Sequence, residues 1–388
     1  MDNKFNIQDV VNINKNNLAI IKELHNGEIQ AVCPRCGDKR GKFSISIKKG
    51  LFNCYHCDFK GNALSLQMEL TGEIDPKVAA KTVYECISND DYVPSTKTMI
   101  EEVEEVFKET DENISFVNWA ILNHCSLKEE HKADLLRRGF TEEDIIKYHF
   151  KSVPSPEEAK EIVKQLIKEH YHLEGVPGFF VNSKGEWTMR LFFEETKGKY
   201  IPKTGYFCPA WDGSQYHNNK LPYIVGFQIR FDNPCNGGKY QWFSSNGKNK
   251  GVSSGAMATY LPGKGNAVIV AEGILKANLI YALCKGQITI IGVPGVSNYK
   301  KAAPYLKDVS FFFEAYDMDK VEKEKIKEEA KRLKSYYQER GILSHSLTWE
   351  TDDKGLDDFL SQYSNVDLFI SYLEAKTAIK KEMIKQII

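Results

Sequence analysis

Two pairs of cysteines near the start of the chain have the spacing of a metal site. Cys33 and Cys36 form one Cys-x-x-Cys turn, Cys54 and Cys57 form a second, and 17 residues separate the two turns. This arrangement is typical of a tetrahedral four-cysteine zinc centre, because each turn can offer two thiolates. A segment this small buries little apolar surface, so zinc binding would supply much of its folding free energy.

The residues between the two turns predict a small β-hairpin. Phe43 and Ile45 alternate with polar neighbours as in a half-buried strand, and residues 48–50 have the composition of a turn. His56 lies inside the second Cys-x-x-Cys turn, and a site of three cysteines with His56 is an alternative to the four-cysteine set. Ring geometry suits that position less well, so we predict that His56 is a contact residue. A redox pair is the alternative to zinc.

Three carboxylates follow two apolar runs of the last third of the chain. Glu272 comes directly after residues 268–271, and Asp317 and Asp319 follow residues 309–315. The carboxyl ends of neighbouring parallel strands meet at one edge of a sheet, so these side chains can converge there. Converging carboxylates repel unless a hard cation such as Mg²⁺ or Mn²⁺ neutralises them. Such a site permits phosphoryl transfer, in which metals activate a 3′ hydroxyl and hold a triphosphate. Exposed carboxylates without a ligand are the alternative.

A basic and aromatic stretch precedes the first of these carboxylates. Residues 233–271 contain no acidic residue, whereas Lys239, Lys248 and Lys250 are interleaved with aromatic residues such as Trp242. This composition favours a groove for nucleic acid or nucleotide phosphates. For individual aromatic residues, a position in the core is the alternative.

The cysteine-rich segment has a similar charge bias. Residues 33–61 hold seven basic and two acidic residues, and Arg35 and Lys48 are candidate phosphate contacts. Phe52, Tyr55 and His56 offer rings on which unpaired bases could stack. We therefore predict that this segment binds single-stranded DNA rather than docking a protein.

The elements that must position these residues can be read from the hydrophobic pattern. Apolar runs alternate with helical segments in the last third of the chain, which predicts a parallel, doubly wound sheet. Ligands collect beyond the carboxyl ends of the strands in such sheets. The predicted strands are 267–271, 287–291, 309–315 and 344–349, and the predicted helices are 274–283, 297–306 and 320–340.

The upstream part of the chain changes character several times. A short helix is expected at 63–70, and residues 100–113 are so acidic that they indicate a linker or an exposed helix. Residues 114–171 are helical in pattern, with start signals at Thr141 and Ser155, and a Gly- and aromatic-rich α+β region follows. The predicted parts are a zinc ribbon at 1–72, an acidic linker at 73–113, a helical and α+β part at 114–262, a catalytic α/β domain at 263–363 and a helical tail at 364–388.

Composition places few restrictions on this multidomain α/β and α+β organisation. The chain has 388 residues, 42% of them hydrophobic and 27% charged, as in ordinary globular proteins of two or three domains. Its net charge of -1 gives no overall case for a polyanionic partner, so local patches must decide. No apolar run approaches the length of a membrane span, and the first residues lack the pattern of a secretory signal. We expect a cytoplasmic protein with no membrane partner.

Six ordered motifs make most of the chain similar to the DnaG-type DNA primases of bacteria and phages, whose catalytic core has a Toprim fold. The motifs look closest to those of the primase-like Toprim proteins of phages and mobile elements. They lie at residues 226–230, at 239–240 with 244–245, and at 272–277, 292–295, 316–320 and 354–358.

The resemblance implies roles for particular residues. Glu272, Asp317 and Asp319 would hold catalytic Mg²⁺ or Mn²⁺, and Asp357 or Asp358 would stand for the third acidic motif of the family. For the last two residues, a loop pair or a helix N-cap is the alternative. Arg230 and Lys239 would belong to the basic ridge that carries template or nucleotide, although Arg230 could equally be an exposed strand residue.

The chain departs from the pattern of cellular primases at two positions. Cys36 replaces a histidine ligand of the zinc site, and Lys276 replaces an aspartate four residues after the catalytic glutamate. We predict that Lys276 contacts phosphate. The tail at 364–388 is too short for a helicase domain, so a replicative helicase would be a separate partner.

The function that the resemblance implies is nucleotidyl transfer. The chain would be a DNA-directed RNA polymerase of the primase type, which makes short RNA primers from NTPs on single-stranded DNA with two metal ions. It would serve the replication of a phage, a plasmid or another mobile element. The alternatives are a Toprim nuclease or topoisomerase-like enzyme, and a non-catalytic single-stranded DNA-binding accessory protein of replication or defence.

Overall fold

A computed structural model describes residues 5–15, 17–24, 27–73, 75–88, 107–194, 200–235, 238–349, 353–363 and 365–387. The chain forms two compact units, Met1–Glu104 and Glu105–Ile388. Much of the predicted acidic linker, residues 89–106, lies outside the described residues. Of the helices in the described ranges, none is long and apolar enough to cross a membrane.

The first unit contains a five-stranded antiparallel sheet in which sequential strands are neighbours. The hairpin predicted between the cysteine pairs is confirmed, with Phe43 paired to Cys54, and so is the helix expected at 63–70. The elements are helix α1 (Ile7–Ile13), strands β1 (Ile20–Glu23), β2 (Glu28–Ala31), β3 (Phe43–Ser46), β4 (Leu51–Cys54) and β5 (Lys60–Asn62), and helices α2 (Ala63–Thr71) and α3 (Pro76–Ser88).

Three phenylalanines form the centre of the core of this unit. The rings of Phe52 and Phe59 lie 4.6 Å apart between centroids, and those of Phe43 and Phe52 lie 5.4 Å apart. Phe52 is only 3% exposed, so the prediction that its ring is available for stacking on bases is wrong. The alternation of strand β4 directs this side chain inward, beside the buried Cys54.

The second unit begins with helices that start where the sequence indicates. The hydroxyl of Thr141 accepts a hydrogen bond from the backbone N–H of Asp144 at 3.1 Å, and that of Ser155 accepts one from Glu158 at 3.2 Å. Both predicted helix starts are therefore confirmed. The elements are α4 (Asp111–His124), α5 (Glu129–Arg137), α6 (Glu142–Lys147), strand β6 (Lys151–Ser152) and α7 (Pro156–Lys168).

The α+β region that follows is built around a long antiparallel hairpin. Strands β11 and β12 pair over most of their length, and β13 adds to the outer side of β12. The strands are β7 (Phe179–Val181), β8 (Trp187–Met189), β9 (Phe192–Glu194), β10 (Tyr200–Pro202), β11 (Gly205–His217), β12 (Leu221–Cys235), β13 (Gly238–Trp242) and β14 (Thr259–Leu261).

The predicted parallel sheet is present and continues into this hairpin. Its order is β13-β12-β11-β14-β16-β15-β17-β18, with β6 paired to β11, and β16, β15, β17 and β18 are mutually parallel. The mixed α/β fold class is thereby confirmed. The remaining elements are β15 (Val268–Glu272), α8 (Ile274–Leu283), β16 (Thr289–Val293), a 3₁₀ helix (Val296–Leu306), β17 (Phe311–Ala315), α9 (Asp319–Glu322), α10 (Glu324–Gln338), β18 (Leu343–Ser346), α11 (Leu356–Gln362) and α12 (Val366–Ile387).

Three details of the predicted alternation are wrong. The segment predicted as a helix over 297–306 is a 3₁₀ helix that contains Pro304, which lacks the N–H that an α-helix interior needs. The charged helix predicted at 320–340 is interrupted at Lys323, whose backbone is extended. The last strand ends at Ser346 rather than at residue 349.

Both faces of the parallel strands are covered, which explains their continuous apolar sequences. Ile269 and Phe313 pack in a core cluster shared with the long hairpin, whereas Val270 and Phe312 pack on the opposite face with Leu333 of α10. Successive side chains of a strand point to opposite faces, so both kinds of position must be apolar here.

A buried ion pair supports the turn that follows strand β17. The Lys320 ammonium lies 3.0 Å from a Glu314 carboxylate oxygen and donates to the carbonyl of Leu347 at 2.7 Å. The same carboxylate accepts hydrogen bonds from the backbone N–H of Tyr316, at 2.5 Å, and from the hydroxyl of Ser346. These contacts fix the backbone on both sides of residues 317–319.

We expect the substitution Glu314→Ala to lower the free energy of unfolding by about 3 to 5 kcal/mol, because it leaves the Lys320 ammonium buried without its partner. Urea denaturation followed by circular dichroism measures the change. The matched control is Glu339→Ala, which removes a carboxylate that is 75% exposed and should cost no more than about 0.5 kcal/mol. A loss below about 1 kcal/mol for Glu314→Ala would show that the pair does not support this turn.

Candidate functional site

The four cysteine sulfurs of the first unit form a group of the size that zinc requires. The Sγ atoms of Cys33 and Cys57 lie 3.8 Å apart, those of Cys36 and Cys54 lie 3.9 Å apart, and all four lie within 4.8 Å of one another. A zinc ion with four Zn–S bonds of about 2.3 Å has sulfur atoms about 3.8 Å apart at the corners of a tetrahedron. The donor set therefore fits one structural zinc ion, as predicted.

Each cysteine pair is held in a tight turn by its own backbone. The N–H of Gly37 donates to the carbonyl of Cys33, and the N–H of Asp58 donates to the carbonyl of Cys54, both at 2.9 Å. Gly37 and Asp58 both have positive φ angles, of 67° and 57°. Burial raises the pKa of the Cys33 thiol to about 12, so a bound metal must displace its proton.

His56 lies beside the cysteine group rather than in it. Its Nδ1 atom is 3.5 Å from the Sγ of Cys36 and 3.9 Å from a carboxylate oxygen of Asp38. Among the described residues, the group of mutually close ligand atoms consists of the four cysteines. This arrangement agrees with the prediction that His56 is a contact residue.

The two predicted phosphate contacts of this unit have different surroundings. The Arg35 guanidinium forms an ion pair with Glu69 at 2.6 Å and lies 3.9 Å from the centre of the Phe59 ring. Lys48 is exposed in the turn between β3 and β4, and Tyr55 is 72% exposed. Lys48 and Tyr55 are thus on the surface of this unit, and Arg35 has an acidic partner.

The three predicted carboxylates of the second unit lie at one edge of the parallel sheet. Glu272 is the last residue of β15, and Asp317 and Asp319 follow β17, which pairs directly with β15. Asp317 is 7% exposed. Burial raises the pKa of Glu272, and the negative charge of Asp317 raises it further. Both effects favour a cation at this edge.

Lysine side chains already approach this carboxylate group. The Nζ atom of Lys276 lies 2.5 Å from the Oδ1 atom of Asp317, and that of Lys354 lies 3.0 Å from an oxygen of Asp319. A third lysine, Lys323, contacts Asp319 at 2.6 Å from the solvent side. Lys276, which the sequence marked as a phosphate contact, thus has a carboxylate partner within the group.

Asp357 and Asp358 have different places in the structure. Asp357 is 4% exposed, and its Oδ1 atom has no hydrogen-bond partner among the described residues. Burial raises its pKa to about 6, although the Lys276 charge acts in the opposite direction. Asp358 is exposed and accepts a hydrogen bond from the N–H of Gly355 at 3.2 Å, which is the role of a helix cap. Of the two, Asp357 is the residue beside the carboxylate group.

Arg230 lies on strand β12, between Tyr206 of β11 and Tyr240 of β13. A half-buried contact holds it there, because its guanidinium is 3.6 Å from the carboxylate of Asp134. That carboxylate also accepts hydrogen bonds from the hydroxyl of Tyr206 and the guanidinium of Arg138, each at 2.9 Å. Burial alone would raise the pKa of Asp134, but these donors hold it at about 2. Arg230 is therefore not a freely exposed strand residue.

The three lysines of the predicted basic stretch are not equivalent. Lys239 is exposed on β13, and Lys250 forms an ion pair with Glu174 at 3.1 Å. The ammonium of Lys248 lies 5.7 Å from the ring centre of Phe192. Phe243, one of the aromatic residues of this stretch, is buried in the core.

Sequence reasoning missed two cations that belong with Lys248. Arg190 donates to the carbonyl of Asn246 at 2.8 Å, and Lys203 donates to the carbonyl of Arg190 at 3.3 Å. Burial lowers the pKa of Lys203 to about 8 and also lowers that of Lys248, and the charge of Arg190 lowers both further. These residues precede the acid-free stretch, so its composition gave no signal for them.

Comparisons with known proteins agree with the resemblance seen in the sequence. Residues 1–91 match the family model of the DnaG zinc ribbon, described as the CHC2 zinc finger. No curated protein has a significantly similar sequence. The match over residues 1–91 confirms the resemblance to DnaG-type primases in the zinc-ribbon part of the chain.

Several solved primase structures are similar to this chain at low identity. One is the Aquifex aeolicus primase with its zinc-binding and RNA polymerase domains, at 16% identity and a TM-score of 0.49, covering 94% of this chain and 83% of that one. Another is the RNA polymerase domain of Mycobacterium tuberculosis primase DnaG, at 15% identity and a TM-score of 0.47, covering 69% and 84%. A third is the primase fragment of the bacteriophage T7 primase-helicase protein, at 11% identity and a TM-score of 0.34, covering 91% and 100%.

We expect the substitution Cys33→Ser to reduce the zinc content from one ion per chain to a small fraction of one, because a hydroxyl is a much poorer zinc ligand than a thiolate. Elemental analysis of the purified chain measures this. The control is Cys86→Ser, which removes a cysteine of the same unit that is outside the sulfur group and should leave the zinc content unchanged. A full zinc ion retained in Cys33→Ser would contradict the ligand set.

Proposed function

We propose that this chain is a DNA primase that joins ribonucleotides from NTPs into short RNA primers on a single-stranded DNA template. The observation that carries the proposal is the group of Glu272, Asp317 and Asp319 at the carboxyl ends of two neighbouring parallel strands. Carboxylate oxygens favour divalent cations, and ligands bind at the carboxyl ends of the strands in such sheets.

In this proposal Glu272, Asp317 and Asp319 would hold Mg²⁺ or Mn²⁺. The metal chemistry would activate the attacking 3′ hydroxyl and neutralise charge on the triphosphate. The 3′ oxygen forms a bond to the α-phosphorus of the incoming NTP, and the bond to pyrophosphate breaks. The part of the protein is to hold the acceptor and the NTP in line, which the fixed turn at residues 317–319 supports.

The basic residues of the second unit would bind the phosphate backbone of the template or the incoming nucleotide. Arg230 is held in place by Asp134, so little conformational entropy is lost when it binds a phosphate. Arg190, Lys203 and Lys248 lie close enough that the charge of Arg190 lowers the pKa values of the two lysines. A phosphate between them would relieve this repulsion.

The zinc ribbon would bind single-stranded DNA and contribute to template selection. Its accessible groups are the charge of Lys48 and the exposed rings of Tyr55 and His56. A positive charge beside stacking rings is the usual combination in proteins that bind single strands.

The setting of this activity is also a proposal. The motif resemblance favours replication of a phage, a plasmid or another mobile element, in the cytoplasm of a bacterial host. A separate replicative helicase would then be a partner.

We expect the substitution Asp317→Asn to reduce primer synthesis by more than about 100-fold, since changes of residues that only support metal ligands already cost 10- to 100-fold. Labelled NTPs, a mixed single-stranded template and either Mg²⁺ or Mn²⁺ provide the assay, with products resolved on a denaturing gel. Binding of single-stranded DNA should persist, because the template contacts lie elsewhere.

The control for this experiment is Asp367→Asn, a surface carboxylate that pairs with Lys285 and is 74% exposed. It should leave synthesis unchanged. Synthesis retained in Asp317→Asn would refute the assignment of the site. A shortened template without new oligonucleotides in the unmodified chain would indicate a nuclease instead.

We expect the substitution Lys239→Ala to weaken single-stranded DNA binding to a similar extent for all sequences. It should also make the salt dependence shallower, by about 0.7 in the slope of log K against log salt concentration, because one phosphate contact is lost. Fluorescence anisotropy at several salt concentrations measures the slope. Lys285→Ala is the control, because Lys285 already pairs with Asp367, and an equal effect of both variants would show that Lys239 has no specific contact.

A further inference from the structure

Lys276 lies within the carboxylate group rather than at its rim. It belongs to the first turn of α8, which begins directly after Glu272 and Gly273. Its side chain is only 28% exposed, and its Nζ atom is 2.5 Å from the Oδ1 atom of Asp317. At this distance the ammonium forms a charge-assisted hydrogen bond with that carboxylate and supplies a positive charge beside it.

A second carboxylate lies close to the same ammonium. A Cβ atom added at Gly355 would be 2.2 Å from Oδ1 of Asp357 and 3.2 Å from Nζ of Lys276, so both atoms adjoin the backbone of Gly355. The Oδ1 atom of Asp357 is buried and has no hydrogen-bond partner in the described part of the chain. Lys276 thus contacts Asp317 and lies near Asp357.

The position of the Lys276 ammonium, in contact with Asp317 and near Asp357, limits where a metal ion can bind. A metal ion that bound between Asp317 and Asp357 would have to displace this charged group or share the space with it. Two cations so close together repel strongly in a site with little water.

The lysines on the other side of the group are exposed. The lysines that contact Asp319 approach from solvent, with side chains 56% exposed for Lys354 and 60% exposed for Lys323. Exposed ion pairs of this kind are weak and exchange readily with other cations. The described contacts give Glu272 no lysine partner at hydrogen-bond distance. A cation could therefore reach Glu272 and Asp319 by displacing exposed lysine side chains only.

We propose that the Lys276 ammonium takes the place of one of the two divalent cations expected at this site, so that Glu272, Asp317 and Asp319 together bind a single Mg²⁺ or Mn²⁺ ion, on the side of the group away from Asp357. The inference rests on the proposed function for the presence of a metal, and it adds the number of ions and the residue that sets this number. Lys276 acts here as a positioning residue, since it compensates Asp317 and Asp357.

The test is to count the Mn²⁺ ions bound by the zinc-loaded full-length chain without nucleotide, from the loss of the electron paramagnetic resonance signal of free Mn²⁺. We expect one ion per chain, lost in Glu272→Gln. The variant Lys276→Asp removes the resident charge and adds a carboxylate, so it should bind two ions. Lys276→Met, which keeps an unbranched stem of similar length, provides a second variant if Lys276→Asp does not fold, and it should also gain a second ion.

The control is Lys285→Met, which removes an exposed lysine just after the end of α8 and outside the group. This variant should still bind one ion. The proposal would be overturned if the unmodified chain bound two ions or none. It would also be overturned if both Lys276 variants bound one ion. Primer synthesis is measured separately. One bound ion without primer synthesis would refute the proposed function but support this inference. Two bound ions with primer synthesis would refute this inference but support the proposed function.

Discussion

Repulsion between carboxylates at the edge of the parallel sheet is the constraint on which the proposed catalytic site depends. Two neighbouring strands carry Glu272, Asp317 and Asp319 to one edge of the sheet. Burial and the charge of Asp317 raise the pKa of Glu272 there, whereas hydrogen bonds from Lys323 and Lys354 lower that of Asp319. Positive charge must therefore be supplied. The chain provides part of it through Lys276 and Lys354, and a divalent cation would complete it.

The surrounding structure holds these charged residues in fixed positions. The buried pair of Glu314 and Lys320 binds the backbone next to the turn at residues 317–319 and links it to β18. The zinc ribbon uses the same physics on a smaller scale, because four cysteine sulfurs this close together require a cation if they are to be thiolates. In both places the backbone brings together groups whose like charges need a cation.

The sequence predicts the parts of these sites that follow from local pattern. Four cysteines at zinc spacing and acidic residues directly after apolar strands are both local signals. The structure brings the four sulfurs within 4.8 Å of one another, and it pairs the two strands that the acidic residues follow. Contacts between distant segments have no such signal. Asp134 holds Arg230 from a helix 96 positions earlier in the chain, and the approach of Lys276 to Asp317 depends on how α8 packs. Phe52 was misassigned because exposure is decided by packing rather than by residue type.

Template-directed synthesis by the unmodified chain is the most direct test of the proposed primase activity. Two single-stranded templates that differ at one base would be incubated with NTPs and Mn²⁺, and the masses of the products would be measured by mass spectrometry. A primase would make short oligoribonucleotides whose masses differ by the change of the one complementary nucleotide. Identical products on both templates, or fragments of the template itself, would contradict it.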